Sequence, residues 1–149
     1  MKKAIDPRMH SAEHVLNQVM DRMYGCGRCA AAHIERKKSK CDYRFDRALT
    51  GAEEKRIEDE VNRVVREDLP VTERFASREA CAGRFDLGRL PGNAGDEIRI
   101  VEVGDYDACP CIGPHVRSTA EIGSFRIVST DSREGTLRIR YKLGGAEPS

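Results

Sequence analysis

Apolar positions along this chain change period several times, and each change marks an element. From Asp6-Pro7, a side-chain cap followed by a proline at the first helical position where its missing N–H costs nothing, Val15, Val19 and Met23 recur at helical spacing. Leu16 and Met20 lie beside them, and Gly25 and Gly27 stop the run. A second helical stripe, Ile57, Val61, Val64 and Val65, starts behind the capping box of Thr50 and Glu53 and ends before Pro70. Its outer face is densely charged and reads as solvent contact. Period-two alternation takes over elsewhere. Residues 28–45 predict two short strands around the basic turn 36–40, with Tyr43 and Phe45 alternating with Asp42, Arg44 and Asp46. Residues 71–75 predict a short strand, 77–85 a short helix capped by Ser77, and 88–95 a glycine-rich loop. Ile98, Ile100, Val101 and Val103 form a β-prone strand. The chain closes with a hairpin over 125–129 and 137–143, where Leu137, Ile139, Tyr141 and Leu143 alternate with Arg138, Arg140 and Lys142. No internal repeat is evident, and the tail from Gly144 is expected to fray.

Bulk properties narrow the class. A length of 149 residues is that of one domain, 1–149, with room for a real core. No apolar run approaches the eighteen or so residues of a membrane span, and no apolar stretch follows the basic amino terminus as in a signal peptide, so a cytoplasmic location is expected. A net charge of +1 gives no case for general nucleic-acid binding, and the absence of Trp argues against an aromatic platform for single strands. Without a secretion signal the six cysteines read as thiols or metal ligands rather than disulfides.

Two places concentrate soft and imidazole ligands. His10-Ser11-Ala12-Glu13-His14 puts two imidazoles four apart on one helix face, and Cys109-Pro110-Cys111-Ile112-Gly113-Pro114-His115 puts two thiols and an imidazole on a stretch expected to form a fixed turn. Zinc takes nitrogen and sulfur tetrahedrally, so His10, His14, Cys111 and His115 make one metal site if the two places meet. The alternative is a capping His10, a buried Cys111 thiol and a hydrogen-bonded His115. Cys109 lies too close to Cys111 for easy shared chelation and stands as a reserve ligand. The first motif is not that of the zinc metalloproteases, which needs Glu directly after the first histidine, where Ser11 stands. Glu13 reads either as an exposed helix glutamate or as a base near the ion. Cys26 and Cys29 have ribbon-like spacing with no second pair to complete it, so free thiols are favoured, and Cys41 and Cys81 read as core residues.

These motifs resemble a known family. His-x-x-x-His together with Cys-x-x-x-His, then Val-Arg-x-Thr-x-Glu-Ile-Gly, looks like the editing domain of alanyl-tRNA synthetase and the freestanding alanyl-tRNA-editing proteins. The second amino-terminal domain of threonyl-tRNA synthetase also begins with a stretch similar to residues 10–16. The family signature Cys-Gly-Gly-Thr-His-Val, a gap, then Thr-Gly-Glu-Ile-Gly, is matched by Cys111-Ile112-Gly113-Pro114-His115-Val116 and Thr119-Ala120-Glu121-Ile122-Gly123. Similarity extends over about 8–143. The resemblance implies an α+β fold, a mainly antiparallel sheet packed against two longer helices, with zinc on His10, His14, Cys111 and His115. It also implies hydrolysis of the ester joining a wrong amino acid to tRNA, usually serine or glycine on alanine tRNA. Pro114 and Ile112 depart from the family's threonine and glycine and alter the pocket floor. Larger members carry a glycine-rich domain before the first motif; the 149 residues read here do not include it, and a likeness to the shortest freestanding forms is expected.

On this reading zinc polarises the ester carbonyl or holds the attacking water. Glu13 or Asn17 orients that water, and backbone N–H groups around Gly113 meet the oxyanion. Arg117, and behind it Lys37, Lys38, Arg138 and Arg140, are the candidates for the tRNA acceptor end. A zinc hydrolase of a small acyl ester or amide, and a binding module with a structural zinc, are the rival readings. An uncovered sheet edge makes a homodimer plausible.

Overall fold

A computed structural model describes residues 5–85 and 96–144. The expected glycine-rich loop and the carboxy-terminal tail beyond Gly144 lie outside the described residues. Chain order is α1 (Pro7–Tyr24), β1 (Ala31–His33), β2 (Ser39–Arg44), α2 (Gly51–Glu67), β3 (Val71–Ser77), α3 (Arg78–Ala82), β4 (Glu97–Val103), β5 (Asp107–Pro110), a 3₁₀ turn (Thr119–Ile122), β6 (Phe125–Arg133) and β7 (Thr136–Leu143). The class is α+β and every strand pairing is antiparallel, as expected. The strands divide into two sheets, β1-β2-β7-β6 and β3-β4-β5.

Local chemistry fixes the helices. Asp6 accepts from the Met9 N–H at 3.0 Å, and α1 ends on Gly25, whose φ of 65° lets its N–H reach the Asp21 carbonyl. Helix α2 has the complete capping box: Thr50 accepts from Glu53 N at 3.1 Å while Glu53 accepts from Thr50 N at 2.9 Å. Its buried stripe is Ile57, Val61, Val64 and Val65, each worth about 1.5–3 kcal/mol of transfer free energy. They meet a core shared with Val15, Leu16 and Val19 of α1 and with Leu137, Ile139 and Tyr141 of β7. Asn62 pins α2 to β6 by giving to the Phe125 carbonyl and taking its N–H, at 2.9 and 2.8 Å.

Three elements differ from the pattern-based expectation. The Cys-Pro-Cys stretch is extended as far as Pro110, because Val101 and Val103 of β4 pair with Cys109 and Asp107. Strand β6 runs to Arg133 with an irregularity between Ile127 and Ser129, and turns through Glu134 and Gly135, both at positive φ. The third is α1, whose buried residues include His10, Ser11, Glu13, His14 and Asn17. A helix that buries this much polar surface must find partners for all of it. Among the described residues no helix is long and apolar enough to cross a membrane.

The capping box carries a pH signature. Hydrogen bonds from Arg47, then from Thr50, lower the half-buried Glu53 carboxyl from 4.5 to about 2. A carboxyl depressed by folding stabilises the fold above its ordinary value and loses that contribution as pH falls through the folded one. Its partner Arg47 is exposed, and solvent screening keeps the effect modest. Unfolding midpoints measured between pH 6 and pH 2 should therefore fall less steeply in Glu53→Gln than in the unaltered protein; parallel curves would remove this residue from the acid response.

Candidate metal centre

The late motif is held in place by side-chain hydrogen bonds to backbone groups at both ends. Arg8 donates to the Ile122 carbonyl at 3.1 and 3.0 Å and to Gly144 at 2.6 Å, so the first turn of α1 holds the far side of the 3₁₀ turn. Thr119 gives its hydroxyl proton to the Val64 carbonyl at 2.8 Å and accepts Leu69 N–H at 2.9 Å, tying the same segment to α2. Arg99 on β4 donates to the carbonyls of Cys111 at 3.1 Å and Gly113 at 2.7 Å, and its guanidinium is held in turn by Glu73. Residues 111–116 are thus a loop fixed from three sides.

Within that frame, donor atoms of His10, His14, Cys111 and His115 all lie within 4.8 Å of one another. Cys111 Sγ is 3.4 Å from His10 Nε2 and 3.5 Å from His115 Nε2. Bond lengths of about 2.3 Å to sulfur and 2.0–2.1 Å to nitrogen in a tetrahedron separate S and N by about 3.6 Å, so the spacing suits zinc. The His10 and His115 rings stack with centroids 4.2 Å apart.

Hydrogen bonds on the outer side select the tautomers. Pro114's carbonyl can only accept, so the 3.1 Å contact places the proton of His10 on Nδ1 and leaves Nε2 as a lone pair facing Cys111. His115 Nδ1 sits 2.9 Å from the Ser11 hydroxyl, which also accepts the Val116 N–H at 3.1 Å. Nδ1 of His14 is buried and has no hydrogen-bond partner among the described residues; Asp107 Oδ2 lies 3.8 Å from it.

Burial keeps the imidazoles neutral. It lowers His14 well below the ordinary histidine value, an effect reinforced by His115 and then Arg28. His115 falls to about 3, mainly through burial and then through His10 and Arg99. His10 is lowered by burial and partly restored by Glu13. Burial raises the Cys111 thiol. Three neutral imidazoles in an enclosed site offer lone pairs for which no proton competes at neutral pH, and a cation is what would draw the proton from the thiol.

Gly113 shows how closely the two motifs approach. A Cβ built there would overlap Cε1 of His10 and lie 2.7 Å from its Nδ1, so no other residue fits without displacing the His10 ring.

Glu13 is not exposed. It is 9% accessible, its Oε1 lies 3.7 Å from His10 Nε2, and its Oε2 accepts from Asn17 at 3.0 Å and from the Cys29 thiol at 3.4 Å. Asn17 points into the core behind it, its amide oxygen taking the Tyr43 hydroxyl at 2.7 Å and the Cys29 N–H at 3.2 Å. Cys109 lies on β5 with its thiol directed to the Pro110 carbonyl, and burial raises it to about 12. The cluster opens on a cleft of about 670 Å³ whose lining includes Glu13, Arg28, Arg84, Phe85, Cys109 and Ile112. Ile112 is largely exposed at this rim.

The basic candidates separate. Arg117 is exposed two residues beyond His115. Lys37 and Lys38 are exposed before β2. Arg138 and Arg140 point away from the buried face of β7 and are engaged, Arg138 with Asp42 at 2.8 and 3.0 Å and Arg140 with Asp131 at 2.7 Å. Lys38 and Arg140 share a separate depression of about 250 Å³ with His33, Glu35, Ser39 and Lys40. Because α1 packs on the buried face, this basic surface is on the other side of the sheet from the cluster.

Sequence reasoning passed over Ser11, Arg28, Arg99 and Asp107. The available signal for Asp107 was its position two residues before Cys109, which puts both on one face once the segment is a strand.

Comparison with known proteins is consistent with this geometry. Residues 98–140 match the family model described as the threonyl and alanyl tRNA synthetase second additional domain. Over 143 residues, 93% of this chain, the sequence is 34% identical to an alanine-tRNA ligase of Methanopyrus kandleri, covering 16% of that ligase. Alanine-tRNA ligases of Halorubrum lacusprofundi and Methanoculleus marisnigri are 33% and 35% identical over 141 residues each, 92% of this chain and 15% of theirs. The chain thus spans about a sixth of the length of these relatives.

Gly113→Ala should push the His10 ring out of the cluster and weaken divalent-metal binding by about tenfold or more, a loss of about 1.4 kcal/mol, with helix content unchanged by circular dichroism. Unaltered affinity in a folded variant would mean that His10 is not a ligand.

Proposed function

From the chain's membership of the threonyl and alanyl tRNA synthetase second additional domain family, we propose that it is a zinc-dependent aminoacyl-tRNA deacylase. The ester it hydrolyses is that of serine or glycine wrongly attached to alanine tRNA. Family membership supports a tRNA-related editing role. The observation that carries the finer reading is the convergence of His10 and His14 from α1 with Cys111 and His115 from the late loop, their donor atoms within 4.8 Å of one another, beside a cleft large enough for an aminoacyl ester.

Zinc bound by these four residues supplies a Lewis acid for the ester carbonyl or an anchor for the substrate's amino group. The chain's own groups do the rest. Glu13, fixed by Asn17 and Cys29 and close to His10, is placed to take a proton from the attacking water. Backbone N–H groups around Gly113 are candidates for the developing oxyanion. Asn17 acts through Glu13, since its amide is used in the core. Arg117, exposed beside the motif, is the first candidate for the phosphates of the acceptor end, with Lys37 and Lys38 more peripheral. Arg138 and Arg140 serve the sheet before they serve RNA.

One observation favours a second reading. Four protein ligands close a tetrahedron, the arrangement of structural zinc sites, whereas catalytic sites keep a position open. In that case the domain binds its partner without chemistry of its own.

Release of serine, glycine and alanine from the corresponding charged tRNAs distinguishes the readings. The protein should deacylate mischarged alanine tRNA and spare correctly charged alanine tRNA. His14→Ala and Cys111→Ala should lose both zinc and at least about 100-fold in rate, corresponding to about 2.7 kcal/mol in the barrier. Hydrolysis that persists after the metal is stripped would overturn the metal-dependent mechanism; zinc binding with no hydrolysis of any charged tRNA would favour the structural site.

A further inference from the structure

The imidazoles of the cluster follow one design with one apparent gap. His10 and His115 each turn Nε2 toward Cys111 and rest Nδ1 on an acceptor from the opposite motif, the Pro114 carbonyl and the Ser11 hydroxyl. His14 Nδ1, also buried, makes no hydrogen bond to the described residues.

What faces it is a carboxylate in an unusual setting. The Asp107 side chain is fully inaccessible, and burying such a charge costs several kcal/mol unless its oxygens are satisfied. Arg28 donates to Oδ1 at 2.8 Å and to Oδ2 at 3.2 Å, and Gln18 donates to Oδ1 at 2.9 Å. Oδ1 therefore takes two protons, while Oδ2 takes one long one and keeps a lone pair on the side where His14 Nδ1 lies 3.8 Å away. Gln18 stands one helical turn after His14, and Asp107 shares a face of β5 with Cys109, so both elements of the cluster contribute to this arrangement. An apolar trio would fill the same space at lower cost, so packing gives no reason for a buried Arg-Asp pair here.

We propose that Asp107 is the positioning residue for His14. Its carboxylate takes the Nδ1–H, which fixes the tautomer that offers Nε2 to the ion and makes that nitrogen a stronger donor, while Arg28 and Gln18 hold the carboxylate in orientation. This rests on the zinc site proposed above.

Zinc affinity measured by competition with a chromophoric chelator, for the unaltered protein, Asp107→Ala and the double variant Arg28→Ala/Asp107→Ala, tests it. Both variants should bind zinc about 10- to 100-fold more weakly. The double variant leaves no unpaired buried arginine, so its loss cannot be assigned to Arg28 alone. Independently of any variant, ¹⁵N-edited imidazole spectra of the zinc-loaded protein should show His14 protonated at Nδ1 and ligating through Nε2. Affinity within about twofold of normal in either folded variant, or His14 ligating through Nδ1, would overturn the role of Asp107 while leaving the metal site standing. No zinc binding by the unaltered protein would overturn the metal site and this inference together.

Discussion

The structure depends on one constraint: the first helix buries a row of polar side chains that folding alone cannot justify. His10, Ser11, Glu13, His14 and Asn17 leave water on α1; His10, Ser11, Glu13 and Asn17 hydrogen-bond to residues outside the helix, and His14 lies against the His115 ring and Asp107. A buried polar group without a partner costs about 1–3 kcal/mol, comparable to a good part of the whole stability of such a chain. The late loop is therefore not merely adjacent to α1. It is required by α1, and the two complete each other only when the sheet, α2 and the 3₁₀ turn hold them in register.

Rigidity is distributed accordingly. The loop has little regular structure of its own, yet Arg99 holds its carbonyls from β4, Ser11 holds Val116 from α1, and Thr119 in its continuation is tied to the Val64 carbonyl of α2. A site built on a loop gains precision from such supports, because a ligand set that is assembled before binding avoids the entropy of assembling it afterwards. Gly113 marks the limit of that closeness, where backbone and imidazole approach within a distance that excludes a methyl group.

Much of this was legible in the sequence because periodicity and spacing are local properties. The Asp6 cap, the capping box of α2, the stripes of α1 and α2 and the alternation of β7 follow from residue order, and so does the pairing of His10 with His14 one helical turn apart. What could not be read was set by tertiary pairing. The Cys109 segment looks like a turn through Pro110, but hydrogen bonds to β4 extend it and bring Asp107 to the same face as Cys109. Glu13 looks like a surface residue, but its carboxylate takes Asn17 from its own helix and Cys29 from the segment before β1, and Asn17 is held in turn by Tyr43 of β2. Arg138 and Arg140 look like a basic row free for the tRNA acceptor end, whereas cross-strand acids occupy them. In each case burial and partner choice belong to the fold, and no local pattern encodes them.

The metal centre is the claim on which the functional account stands. X-ray absorption at the zinc edge of the purified protein reads it most directly. The account predicts one sulfur at about 2.3 Å and three nitrogens at about 2.0 Å. Two sulfur ligands, which would bring Cys109 into the site, or a shell of light atoms without sulfur, would contradict it.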